Sequence, residues 1–216
     1  MNGPRITLTG FMIIFCCWFA RAQTNWELKV DREGIKVYTK TMDNSPLKAV
    51  KTVCVLNTTL TTLTAVLLDV KGSMDWVYAT KSITLLKQIS PSELVYHSEI
   101  NIPWPASNRD FVVAISVVQD EKTKAVTVLG INKPTWIPEK KDVVRIQQSY
   151  SKWVITPLQP GSVKIEYELQ VDPGGKVPVW LVNMFATRGP FETFKKLQLQ
   201  VKKPVYSNKT YPFIKD

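Results

Sequence analysis

The sequence predicts an α+β protein in which a curved antiparallel sheet wraps around one long C-terminal helix. The first observation behind this is alternation. Across residues 82–171 apolar and polar residues alternate in short runs separated by turn-like segments. The cleanest run has Val163, Ile165, Tyr167, Leu169 and Val171 interleaved with Lys164, Glu166, Glu168 and Gln170. One face of such a strand is wet and the other buried, as an antiparallel sheet over a core requires. The second observation is the stretch 172–200. It opens on a Pro-Gly-Gly turn, offers Pro178 a place in the first helical turn, and is apolar from 179 to 186 except at Asn183. The third is that this helix is apolar on two sides. At about 100° per residue, Trp180, Leu181 and Met184 point one way, and Val179, Val182 and Ala186 point roughly the other. Such a helix needs apolar company on both sides. Helices gathered on one face of a sheet make an α+β layout, and a large curved sheet can enclose ligand space.

The chain has 216 residues, which fits one domain. Residues 1–22 are expected to be removed. Arg5 gives a positive start, residues 11–20 are apolar but too short for a comfortable membrane span, and Ala20-Arg21-Ala22 supplies small residues for cleavage before Gln23. The expectation is a cleaved secretory signal and a mature protein that is secreted or periplasmic. Cys16 and Cys17 leave with the signal, so Cys54 remains alone and reads as a small buried hydrophobe. The formal charge is +10, and +8 once Arg5 and Arg21 are subtracted. The lysines are scattered, so the excess reads as a solvated basic surface.

The domain is expected over residues 23–203. Residues 26–30 and 35–41 read as strands about the turn Asp31-Arg32-Glu33-Gly34, and 47–56 as a longer strand after a turn at 43–46. Leu60, Leu63, Val66, Leu67 and Val70 then recur at helical spacing, with Thr58 or Thr59 as cap and Gly72 as stop. Residues 73–78 form a short helical turn holding Trp76. Strands follow at 82–89, 93–102, 111–118, 125–131, 143–158 and 163–171. In the last helix Gly189-Pro190 predicts an interruption, because proline removes a helix hydrogen bond and crowds the preceding turn. That bend is either static or a moving part for ligand exchange. The tail, 204–216, lacks periodicity and is expected to run over the surface.

Residues 102–113 read Ile-Pro-Trp-Pro-Ala-Ser-Asn-Arg-Asp-Phe-Val-Val. Pro103 and Pro105 cannot continue a sheet ladder, so they force a corner around Trp104. Arg109 and Asp110 are neighbours in a strand pattern, point to opposite faces and so meet different partners. The segment resembles the Pro-aromatic-Pro, Ser-Asn-Arg-Asp-aromatic-Val pattern of START lipid-transfer domains, nearest to the phosphatidylcholine-transfer-protein-like members. The likeness continues in Asp75-Trp76 and in residues 172–183, Asp-Pro-Gly-Gly-Lys-Val-Pro-Val-Trp-Leu-Val-Asn. The resemblance implies a helix-grip fold whose hydrophobic tunnel holds one sterol, phospholipid or sphingolipid. Arg109 is then either the fixing point of a structural corner or a contact to a lipid head group.

His97 is the only histidine. It shares a strand face with Glu99, and the pair reads as outward and solvated, or else as a polar point inside the tunnel. The chain has no zinc-binding or phosphate-loop motif, no dinucleotide fingerprint and no nucleophile elbow. No metal and no cofactor is expected. Nucleic-acid binding is not expected either, since the Trp and Tyr residues mostly fall in apolar strand or helix positions. The expected function is non-enzymatic binding and transfer of a hydrophobic ligand, a lipid or sterol. The tunnel residues would be Trp180, Leu181, Met184, Arg109, Glu99 and Tyr167. Trp136, Ile137, Lys140 and Lys141 form either an aromatic-basic mouth that touches a membrane transiently or an ordinary loop. The alternative is an aromatase/cyclase-type enzyme on the same fold, which would place two or more polar groups at one buried point.

Overall fold

The computed structural model describes residues 26–41, 48–175 and 177–216. The expected signal segment and the turn at 43–46 lie outside the described residues. Two strands, β1 (Glu27–Arg32) and β2 (Ile35–Thr41), form a hairpin over a turn where Glu33 and Gly34 both take positive φ. Strand β3 (Lys48–Leu56) follows, then helices α1 (Leu60–Leu68) and α2 (Ser73–Trp76). Thr59 supplies the α1 cap, its hydroxyl accepting the Thr62 N–H. The chain continues through β4 (Thr80–Ser90), β5 (Glu93–Ile100), β6 (Asn108–Gln119), β7 (Val126–Asn132), β8 (Val143–Arg145), β9 (Gln148–Gln159) and β10 (Ser162–Asp172). It ends with α3 (Val179–Gln200) and a short α4 (Pro204–Ser207).

The strands form one sheet in the order β1-β2-β3-β10-β9-β7-β6-β5-β4. The α+β expectation holds, and the long C-terminal helix lies against this antiparallel sheet. Residues 143–158, expected as one strand, divide in two. The short β8 runs parallel to β6, and Ile146 keeps the chain there by donating its N–H to the Asp110 carbonyl. Only after that does the chain cross to pair with β7 and β10 as β9.

The core fills the space between the sheet and the helices. Phe191, Phe194 and Leu197 of α3 meet Ile35, Val37 and Ile165 of the sheet and Leu63 and Val66 of α1, all buried. Burial of each such side chain stabilises by about 1.5–3 kcal/mol. Helix α3 runs through Pro190 without a break across all 22 residues, so the expected interruption is absent. The expected division of its faces also needs correction. Leu181, Val182, Phe185, Ala186 and Gly189 face the interior together, whereas Trp180 is half exposed. Positions 180 and 184 fall roughly opposite the centre of the buried arc, so they turn away from the sheet.

The tail does not merely cross the surface. Tyr206 and Ile214 are buried in the core, the Tyr206 hydroxyl donates to Asp69, and the Thr61 N–H donates to Asp216. Gly72 is required here rather than as a helix stop, because a Cβ on it would collide with the Asp69 carboxylate and the Tyr206 hydroxyl.

Candidate functional site

A cavity of about 320 Å³ lies between the concave face of the sheet and α3, inside the roughly 300–1,000 Å³ range of small-molecule sites. Strand alternation decides what reaches it. Tyr96, Ser98 and Ile100 of β5 and Arg109, Phe111, Val113 and Ile115 of β6 line it. The intervening His97, Glu99, Asp110 and Val112 therefore face the other way. Helix α3 forms the roof with Leu181, Phe185 and Ala186. An aromatic group closes one end, where Trp153 stacks on Phe194 at 5.2 Å, meets Tyr167 at 4.4 Å and receives the edge of Trp76 at 6.4 Å. Such pairs add about 0.5–1.5 kcal/mol beyond area burial. Loops bound the cavity elsewhere through Ile102, Pro173 and Val177.

The Asn-Arg-Asp run at the start of β6 ties separate segments around the site. Asn108 accepts the Ile102 N–H at 3.0 Å and donates to Glu99 at 2.9 Å, which fixes the proline corner. Arg109 is buried and points inward, donating to the carbonyls of Ser107, Pro173 and Gly174. It thus joins β6 to the turn before α3. Burial lowers its pKa. Asp110 points outward, as its place in the strand predicts, and accepts two bonds from Arg145 at 2.8 and 3.0 Å and one from His97 Nε2 at 2.8 Å. A carboxylate has nothing to donate, so the His97 proton sits on Nε2. Burial pushes the Asp110 pKa up, but Arg145 and His97 outweigh it and hold it below the usual carboxylate range.

The outward reading of His97 and Glu99 is therefore right in direction and wrong in solvation. His97 is 4% exposed and Glu99 5%, with His97 against Asp110 and Glu99 against Asn108, Lys81 and Lys140 of the 133–142 loop. Arg145 holds that loop by donating to the carbonyls of Pro134, Ile137 and Pro138. Glu99 pairs with Lys81 at 2.9 Å and Lys140 at 3.2 Å. These bonds, with Lys81 first, lower its pKa to about 2.

Of the expected tunnel residues, Leu181, Tyr167 and Arg109 line the cavity. Trp180 and Met184 are absent from its lining, and Glu99 is on the outer face of β5. Trp136, Ile137, Lys140 and Lys141 do not line it either, since their loop is clamped to that outer face. Sequence reasoning missed Tyr96, Ser149 and Ser151, which do line it. The signal for Tyr96 was the same alternation that placed His97 and Glu99 together. Alternation gives the titratable pair one face of β5 and the cavity the other. A separate hollow of about 290 Å³ between α1 and the tail is lined by Thr59, Thr61, Thr62 and Thr210 among others. Among the described residues no cluster of His, Cys, Asp and Glu could hold a metal.

A single sheet packed against a C-terminal helix over a mainly apolar cavity defines the helix-grip class of fold. The START domain family matches residues 19–204, and the chain belongs to it. It is 35% identical over 181 residues to an uncharacterised protein of Pseudomonas aeruginosa, covering 83% of this chain and 88% of that one. It is 30% identical to the phosphatidylcholine transfer protein of Mus musculus over 171 residues, 76% of this chain and 78% of that protein. Among solved structures, a STAR-related lipid transfer protein fragment from Xanthomonas axonopodis superposes with a TM-score of 0.76 at 30% identity. That match covers 83% of this chain and 99% of the fragment.

Proposed function

We propose that the protein binds one lipid or sterol molecule in the cavity under α3 and carries it between membranes without chemical change. The observation that carries this reading is the mainly apolar cavity under α3, walled by Phe111, Val113, Ile115, Leu181 and Phe185. Each methylene moved there from water contributes about 0.8 kcal/mol, so carriage needs no chemistry. The named relatives that transfer phosphatidylcholine or other lipids support the same reading.

A cyclase-type enzyme would need an acid–base group at the ligand. His97, Glu99 and Asp110 are all turned to the outer face, and burial raises the Tyr96 phenol to about 12, so it cannot serve as a base near neutrality. This arrangement favours the carrier over the enzyme. Membrane contact is assigned to the loop-bounded end. Trp104, 89% exposed, follows the cavity-lining Ile102 by two residues, and Trp180, 51% exposed, precedes Leu181. Amphipathic tryptophans suit a bilayer interface. Work outside the cytoplasm, after loss of residues 1–22, belongs to the same proposal, and N-terminal sequencing of exported protein beginning at Gln23 is its check.

The deciding experiment is native mass spectrometry of the purified protein with extraction of whatever lipid accompanies it. A one-to-one lipid adduct is expected. No adduct, together with no uptake of fluorescent sterols or phospholipids from vesicles, would rule carriage out.

A further inference from the structure

The cavity-lining hydroxyls with no hydrogen-bond partner among the described residues include Tyr96 on β5, Ser149 and Ser151 on β9, and Tyr167 on β10. Interior phenols ordinarily find a partner. The rings of both tyrosines are held in place. Tyr96 meets Phe111 edge-on at 6.2 Å, and Tyr167 packs against Trp153 and Phe194.

Ser151 pairs across the ladder with Gly130 of β7. A Cβ on Gly130 would collide with the Ser151 hydroxyl, so the glycine leaves room at that point of the sheet's inner face. Burial, with a smaller push from Tyr96, raises the Tyr167 pKa above the ordinary phenol range. The two phenols thus influence each other across the cavity, and both keep their protons as donors. Arg109 stands four residues before Val113, the cross-strand partner of Tyr96, or about 13 Å along an extended strand. No charge lies in the belt itself.

We infer that Tyr96, Ser149, Ser151 and Tyr167 form a neutral hydroxyl belt that binds an uncharged oxygen group, an ester carbonyl or an alcohol, in the middle of the ligand's hydrophobic body. This inference rests on the carrier reading and goes beyond it. A purely hydrocarbon ligand leaves these hydroxyls unpaired, so the belt selects oxygenated lipids over hydrocarbons of equal size. A charged group placed there would be desolvated without a counter-ion.

The test uses diphenylhexatriene, an all-hydrocarbon fluorophore, bound directly, with 1,2-dioctanoylglycerol and cholesterol measured by its displacement. In Tyr96→Phe, Tyr167→Phe and Ser151→Ala the affinity for an oxygenated lipid relative to the fluorophore is expected to fall about fivefold per hydroxyl. Neither Phe substitution removes a hydrogen bond among the described residues, so circular dichroism should show both variants folded. A loss confined to dioctanoylglycerol assigns the belt to ester carbonyls, and one confined to cholesterol assigns it to an alcohol. An unchanged ratio in both Phe variants means that the hydroxyls hold ordered water only. That result overturns this inference and leaves carriage standing, whereas failure of the unsubstituted protein to bind any of the three probes overturns both.

Discussion

Asp110 has no exposed side-chain surface, and neither does Arg145. Removing one partner of such a pair leaves the other buried and uncompensated, at about 3–5 kcal/mol. Asp110→Asn should therefore lower stability by about that amount in urea unfolding, and it should also loosen the 133–142 loop toward proteolysis. Glu99 gives a second prediction at this scale. Its pKa falls from 4.5 to about 2 on pairing with Lys81, Asn108 and Lys140. A depressed carboxylate stabilises fully above its unfolded value and loses that contribution as pH falls through the folded one. Melting temperature should drop between pH 4.5 and about 2, and Glu99→Gln should flatten that limb. A profile of unaltered slope in the variant would show that other carboxylates dominate.

At the scale of elements, α3 does two jobs along its length. Its C-terminal half seals the core with Phe191, Phe194 and Leu197, while its N-terminal half covers open space with Leu181, Phe185 and Ala186. A bulky side chain in the first region would overpack, but one in the second has room to enter. Ala186→Trp should cut lipid uptake at least tenfold in a vesicle assay and change thermal stability little, within about 1.5 kcal/mol. Equal loss of stability and uptake would mean that the roof is packed as tightly as the core. Gly189 and Pro190 line the cavity within an unbroken helix. A Cβ on Gly189 would meet the Tyr78 ring at 3.4 Å, an ordinary contact, so this position has room for a small side chain.

For the whole molecule, the tail and the loop-bounded end are the informative regions. Deleting residues 204–216 removes buried Tyr206 and Ile214 and the Tyr206–Asp69 bond. At about 1.5–3 kcal/mol for each buried side chain, the deletion should destabilise the domain by about 3 kcal/mol or more, read by chemical denaturation. The double variant Trp104→Ala, Trp180→Ala addresses membrane contact. Transfer between vesicles should slow severalfold while the amount of lipid bound at equilibrium stays the same. If exchange rates match those of the unsubstituted protein, another surface meets the membrane.

Much of this architecture was readable along the chain because it rests on local periodicity. Alternation at 163–171 specified β10, helical spacing from Leu60 specified α1, and the adjacency of Arg109 and Asp110 specified that they part to opposite faces. Which face is inside is not a local property. His97 and Glu99 look like a solvent pair until β6 brings Asp110 to the one and the 133–142 loop, held by Arg145, brings Lys140 to the other. Trp180 looks like a tunnel residue until the buried arc of α3 is set by the sheet it lies on. The hydroxyl belt is gathered from β5, β9 and β10, far apart in sequence. Periodicity along the chain determined most of the elements; pairing and packing between distant segments split β8 from β9 and decided which side chains the cavity received.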